Sequence, residues 1–205
     1  MAEFSSTCQR PVVFLDRDGT LNVEKGYIAN VDDLVLIEGA GQAVAKLNQA
    51  GIAAILTTNQ SGAARRFYPL SHIAALHARL ISLLNEEGAH LDALYVCPHL
   101  PSGTEPALAI ACECRKPLPG MVESAFKEHP DLDRHFAFVV GDKTADLGLA
   151  NNAGIKSILV ETGYGRALID AGEDKNFKVD CQAKSIVEAV DWILETTRKA
   201  NARAQ

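Results

Sequence analysis

The chain has 205 residues, enough for one domain with a sizeable core. Its 47% hydrophobic and 22% charged residues match a soluble globular protein, and no apolar run reaches the length of a membrane span. A formal charge of −6 argues against broad nucleic-acid binding, which needs a basic surface, yet leaves room for a few basic side chains gathered at one site.

Residues 1–10 are polar and small, lack a hydrophobic signal core, and read as a loose tail on a protein that is not secreted. The first strand is predicted over 11–16, where Pro11-Val12-Val13-Phe14-Leu15 runs into Asp16-Arg17-Asp18-Gly19-Thr20. Side chains two apart on an extended segment point the same way, so Asp16 and Asp18 can face one centre. Two close carboxylates repel, and a hard divalent cation such as Mg²⁺ is their natural counter-ion. An ordinary Asp-rich turn is the bland alternative.

A helix follows over 40–50, then a strand over 52–58 that ends in Thr58-Asn59-Gln60-Ser61-Gly62. A hydroxyl, an amide and turn N–H groups there can hold a phosphoryl oxygen, although the same residues make an ordinary polar loop. The helix over 71–87 has Ser71 as its expected N-cap and an apolar face of Ile73, Leu76, Leu80, Leu83 and Leu84. The strand over 92–97 leads to Cys97-Pro98-His99, an irregular insertion over 98–111, and Cys112-Glu113-Cys114. Three thiolates and one imidazole complete a tetrahedral Zn²⁺ shell, structural in type because protein fills all four positions. Unrelated thiols and a surface histidine are the alternative. The five cysteines also include Cys8 and Cys181, and the odd count without a signal peptide points to a reducing, cytoplasmic setting.

Arg115-Lys116-Pro117 places two cations before the helix over 119–128. The strand over 136–141 ends in Gly141-Asp142-Lys143-Thr144-Ala145-Asp146. Asp142 there could complete the carboxylate set around Mg²⁺, Asp146 could support it, and Thr144 is the expected N-cap of the helix over 144–153. A strand over 157–161 and a helix over 184–199 close the pattern. Strand-helix alternation predicts an α/β fold, a parallel sheet with helices on both faces, as a single domain over 11–197 with a C-terminal tail over 198–205. Ligands in such sheets bind beyond the carboxyl ends of the strands, where Asp16, Thr58 and Asp142 all fall.

In their order, these pieces resemble the haloacid dehalogenase (HAD) superfamily of phosphatases. The resemblance implies a Rossmann-like sheet. It makes Asp16 the nucleophile, Asp18 the proton donor and acceptor, and Thr58 and Lys116 the residues that stabilise the phosphoryl group. It puts Mg²⁺ on Asp16, the Asp18 carbonyl and Asp142. The loop with Cys97, His99, Cys112 and Cys114 narrows the likeness to the small branch without a large cap domain, which contains heptose bisphosphate phosphatases and histidinol-phosphate phosphatases. The first group fits better, through Gly26-Tyr27, Thr58-Asn59-Gln60-Ser61-Gly62 and Cys112-Glu113-Cys114-Arg115-Lys116-Pro117. It implies substrate contacts at Glu24, Lys25, Gly26, Tyr27, Asn59, Gln60, Ser61, Arg115 and Lys143, with Arg115 reading the phosphate that is not cleaved. The expectation is a monomer acting on a small phosphorylated sugar, with no nucleic-acid or membrane partner. After Gly62 the chain reads Ala63-Ala64-Arg65-Arg66-Phe67-Tyr68 where the resemblance implies an Ile-Ala-Arg-Gly-type segment, and two adjacent arginines there can alter the loop or add a phosphate contact.

Overall fold

The computed structural model describes residues 9–203. Six strands form one sheet: β1 Arg10–Leu15, β2 Ala53–Asn59, β3 Ala93–Cys97, β4 Leu132–Gly141, β5 Lys156–Val160 and β6 Cys181–Ala183. Their order is β3-β2-β1-β4-β5-β6, and every neighbouring pair is parallel. The helices are α1 Ala40–Gln49, α2 Leu70–Glu86, α3 Gly120–Glu128, α4 Thr144–Ala153, α5 Gly165–Asp170 and α6 Ile186–Arg203.

Central strands of a parallel sheet are covered on both faces, which is why β1 reads as a continuous apolar run. Val13 and Leu15 join the core built with Leu47 of α1, Leu76 and Leu80 of α2, and Ile186 and Ile193 of α6. Val12 and Phe14 join the opposite core, with Val122 and Ala125 of α3 and Leu149 and Ala150 of α4. Each such large apolar side chain contributes roughly 1.5–3 kcal/mol on burial. The order of the sheet reverses between β1 and β4, the switch point where these folds open a crevice. Leu15 pairs with Val140, and the Asp16 amide donates to the Val140 carbonyl at 3.0 Å, so Asp16 and Asp142 leave the sheet side by side. Among the described residues no domain is inserted between β1 and α1 or between β2 and α2, so the fold carries no large cap. No helix of the described residues is long and apolar enough to cross a membrane.

Several boundaries differ from expectation. β4 starts at Leu132, ahead of the expected start, because its stretch Asp133-Arg134-His135 is polar and partly or fully exposed and carries no apolar signal. α2 starts at Leu70 with Pro69, not Ser71, at the N-cap. α4 has Lys143, not Thr144, at the N-cap, and the Asp146 carboxylate accepts from the Lys143 amide at 3.1 Å. The three-residue β6 and the six-residue α5 are too short to show a period, and neither was foreseen. α6 continues to Arg203, past the tail boundary placed after 197. Arg10, assigned to the loose tail, begins β1, its guanidinium bonded to Asp92 and Asp131. Residues 1–8, with Cys8, lie outside the described residues.

Candidate active site

The carboxyl ends of β1, β2 and β4 deliver Asp16, Thr58 and Asp142 to one cleft, and the loop before α3 delivers Lys116. Lys116 is almost fully buried, and its ammonium donates to Asp16 Oδ1 at 2.8 Å, the Thr57 carbonyl at 2.8 Å and Asp146 Oδ1 at 2.5 Å. Burial alone pushes the Asp16 carboxyl up, but the Lys116 and Lys143 ammonium groups outweigh it and hold the group below its ordinary value. Burial likewise pulls Lys116 down, and Asp146 and Asp16 more than restore it. The result is an ionised carboxylate in a buried setting. The Asn59 amide brackets the Lys116 backbone, donating to its carbonyl and accepting from its amide, both at 3.0 Å. Asn59 therefore positions Lys116, and its side chain is occupied in doing so.

Asp18 is held by a different set of partners from Asp16. Its carboxylate accepts from the Arg17 guanidinium at 2.8 and 2.9 Å, from Asn22 at 3.0 Å and from Gln60 at 2.8 Å. Gln60 also donates to Thr58 Oγ1 at 3.0 Å, tying the two strand ends together.

Asp142 has one carboxylate oxygen on the Tyr164 amide at 2.8 Å; the other, buried, has no hydrogen-bond partner. Burial first, then the nearby Asp16 and Asp146 charges, raise its pKa to about 7 against the pull of Lys143. Two glycines with positive φ, Gly19 and Gly163, give it room, for a Cβ at either would overlap the carboxylate. Thr162 Oγ1 donates to the Gly19 carbonyl at 2.6 Å and joins these two loops. Lys143 extends to Glu24 at 2.6 Å and the Asp18 carbonyl at 3.2 Å, with Asp142 Oδ1 at 3.5 Å and the Tyr164 ring beneath.

On the rim, Glu24 also accepts from the Gly26 amide, and the exposed Tyr27 places its hydroxyl 3.5 Å from Ser61 Oγ. Lys25 is exposed, donates to the Asp33 carbonyl, and bonds to none of the other candidates. Beside this cleft, Cys97, His99, Cys112 and Cys114 converge. The sulfur pairs lie 3.6 Å (Cys97–Cys112) and 3.3 Å (Cys112–Cys114) apart, and His99 Nδ1 is 3.8 Å from Cys97 Sγ and 3.4 Å from Cys114 Sγ. Zn–S bonds of about 2.3 Å and Zn–N bonds of about 2.0 Å set tetrahedral edges of about 3.5–3.8 Å. The four atoms fit that shell. The His99 carbonyl accepts from Arg115 at 2.9 Å, which links the cluster to the basic pair.

The chain is similar to known proteins over most of its length. Residues 113–189 match the family described as HAD-hydrolase-like. The chain is 47% identical over 188 residues to the D-glycero-D-manno-heptose-1,7-bisphosphate 7-phosphatase of Thermosynechococcus vestitus, covering 90% of this chain and 95% of that one. It is 39% identical to the D-glycero-beta-D-manno-heptose-1,7-bisphosphate 7-phosphatase of Haemophilus ducreyi, covering 90% and 98%. The chain belongs to the heptose-bisphosphate phosphatase family of HAD-like hydrolases. It superposes on the crystal structure of the D,D-heptose 1,7-bisphosphate phosphatase of B. bronchiseptica, complexed with magnesium and phosphate, with a TM-score of 0.79 at 31% identity, covering 91% and 99%. Like its relatives in this family, it is a phosphoric monoester hydrolase.

HAD phosphatases use Mg²⁺, and the residues present suit such an ion. Asp16, Asp142 and Asp146 bring carboxylate oxygens within 4.8 Å of one another. Asp146 is occupied by Lys116 and the Lys143 amide, which leaves Asp16 and Asp142 as the carboxylates to meet a cation. The Lys143 ammonium already sits against Asp18 O and near Asp142 Oδ1, a cation among the oxygens that a hard divalent ion prefers. The family resemblance did not supply the surroundings of Asp18 and Asp142. Arg17, 1% exposed, and His77, 3.5 Å from its guanidinium, went unrecognised. His77 lies among Ile73, Leu76, Leu80 and Leu84 on the apolar face of α2, and a polar residue in that stripe was the available signal. Gly163 and Thr162 follow β5 at the carboxyl edge, and only that position marked them.

Proposed function

We propose that this protein is a magnesium-dependent phosphatase that removes the C7 phosphate of D-glycero-D-manno-heptose 1,7-bisphosphate and leaves the 1-phosphate in place. The observation that carries this is an ionised Asp16 held by Lys116 beside a buried Asp142 oxygen that has no hydrogen-bond partner. Asp16 attacks phosphorus in line, the bond to the sugar oxygen breaks, and an aspartyl phosphate forms. Asp18 turns from its Arg17 and Gln60 contacts to protonate the leaving oxygen, then takes a proton from the water that cleaves the acyl phosphate. Thr58 and Lys116 bind the phosphoryl oxygens, and Lys116 keeps Asp16 aimed. Mg²⁺ bound by Asp16, Asp142 and the Asp18 carbonyl supplies charge neutralisation at the transferring group.

Glu24, Gly26, Tyr27, Gln60, Ser61, Arg115 and Lys143 form the substrate wall in this reading, and Lys25 has the weakest geometric claim to it. We assign Zn²⁺ to the cysteine-histidine cluster, where it pins the 97–114 loop and so aims Arg115 and Lys116. The product feeds a nucleotide-activated heptose for lipopolysaccharide or other surface glycans, and we place the protein in the cytoplasm as a monomer. A histidinol-phosphate substrate would need a free carboxylate for its amine, but Glu24 is already bonded to Lys143 and Gly26. Steady-state kinetics on both substrates with Mg²⁺ tests the choice: kcat/KM at least tenfold higher on the heptose bisphosphate is expected, and a preference for histidinol phosphate overturns it.

A further inference from the structure

The cations near the cleft differ in what already occupies them. Arg17 is bonded to Asp18, Lys116 to Asp16 and Asp146, and Lys143 to Glu24 and the Asp18 carbonyl. Arg66 pairs with Glu105 at 3.0 Å, and Arg115 gives one nitrogen to the His99 carbonyl. The side chain of Arg65 makes no hydrogen bond or ion pair among the described residues. It is exposed, and its guanidinium carbon lies 5.8 Å from the centre of the Tyr27 ring.

Its backbone, by contrast, is fixed. The Arg65 amide donates to the Ser61 carbonyl at 3.1 Å, and the Ala64 carbonyl accepts from the Thr104 and Glu105 amides at 2.8 and 3.0 Å. Arg66 sits at φ +60, a conformation glycine adopts freely, and its ion pair with Glu105 lies on the same insertion. Beside Arg65, Tyr27 and Phe67 are 45% and 58% exposed and meet edge to face at 4.7 Å. The Tyr27 hydroxyl reaches Ser61 on the rim. An unpaired planar fork, anchored at its base and set over an exposed aromatic pair at the mouth of a phosphatase cleft, suits a second phosphate on the far end of a sugar.

We propose that Arg65 is a specificity-determining residue that, together with Arg115, receives the phosphate that is not transferred. The proposal rests on the bisphosphate reading above and deepens it. Arg66, which stands where the Ile-Ala-Arg-Gly-type segment has glycine, belongs to the latch that holds the insertion and does not touch substrate.

The test is kcat/KM for wild type, Arg65→Ala, Arg65→Lys and Arg66→Ala on the heptose bisphosphate and on the same sugar carrying only the 7-phosphate. Arg65→Ala should lose about 10- to 100-fold on the bisphosphate, chiefly in KM, and stay within about twofold on the monophosphate. Arg65→Lys should recover part of the loss, and Arg66→Ala should leave the ratio between the two substrates unchanged. If Arg65→Ala keeps the wild-type ratio, or loses equally on both substrates, the proposal is wrong while the bisphosphate reading stands. If the wild type itself shows no preference for the bisphosphate, that reading falls and takes the proposal with it.

Discussion

Asp16 is kept ionised in a buried place by Lys116, with Lys143 adding to the effect, and the other partners of Lys116, Asp146 and the Thr57 carbonyl, lie against the same ammonium. Removing one member of such a set strands the others, so Lys116→Met should cost about 3–5 kcal/mol of stability in addition to turnover; chemical denaturation alongside kinetics checks this. Asp16→Asn retains shape and hydrogen bonding but lacks the nucleophilic oxygen, and should lower kcat by about 10³-fold or more with a circular dichroism spectrum like the wild type's. At His77, burial and then the Arg17 charge depress the pKa from 6.5 to about 4, with Asp18 opposing. The unfolded chain therefore binds the proton more readily between those values. The stability that neutral His77 contributes is complete above pH 6.5 and is lost as pH falls toward 4. Wild type should lose on the order of 2 kcal/mol more than His77→Gln across that window, measured by urea unfolding at each pH; identical acid limbs would show that burial and Arg17 do not hold His77 neutral.

The loops at the strand ends set the oxygens of Asp142. Gly19 and Gly163 come from loops after β1 and β5, and the Asp142 carboxylate lies between them. Gly163→Ala pushes a methyl group into that carboxylate and should weaken Mg²⁺ binding about tenfold or more, read by calorimetric titration of the metal. These details also mark how far the sequence was legible. The central strands announced themselves because β1, most of β2 and the second half of β4 are buried apolar runs; Asp16 and Asp142 are the first polar residues after β1 and β4, and Thr58 closes the strand expected over 52–58. The helix over 144–153 has the expected bounds and α2 starts one residue early, but both N-caps differ, since Ser71 and Thr144 are good caps by type while the chain uses Pro69 and Lys143 instead. The partners of Asp18 were hidden for another reason. Arg17 and His77 are 60 residues apart and meet only once α2 has packed on the sheet. The fate of Arg65 and Arg66 was equally tertiary, decided by Glu105 and Tyr27 from two other loops.

At the scale of the whole molecule, six parallel strands converge their carboxyl ends on one edge, and the insertion after β3 closes over it. That insertion has one buried apolar residue of its own, Leu100, beside Cys97 at the end of β3. Its order therefore depends on the cysteine-histidine cluster and on the Ala64 carbonyl. Protein purified without added zinc should carry about one Zn²⁺ per chain by elemental analysis. Stripping it should lower the melting temperature by several degrees and cost turnover through Arg115 and Lys116; an unchanged melting temperature and activity after complete removal would contradict that role. The most direct test of the whole account is a rapid acid quench of enzyme mixed with heptose bisphosphate radiolabelled in the C7 phosphate. The label is predicted on the peptide carrying Asp16, formed within the first turnover, released by hydroxylamine and absent from Asp16→Asn. Label on another residue, or turnover with no labelled protein and inversion at phosphorus, would contradict the aspartyl-phosphate mechanism.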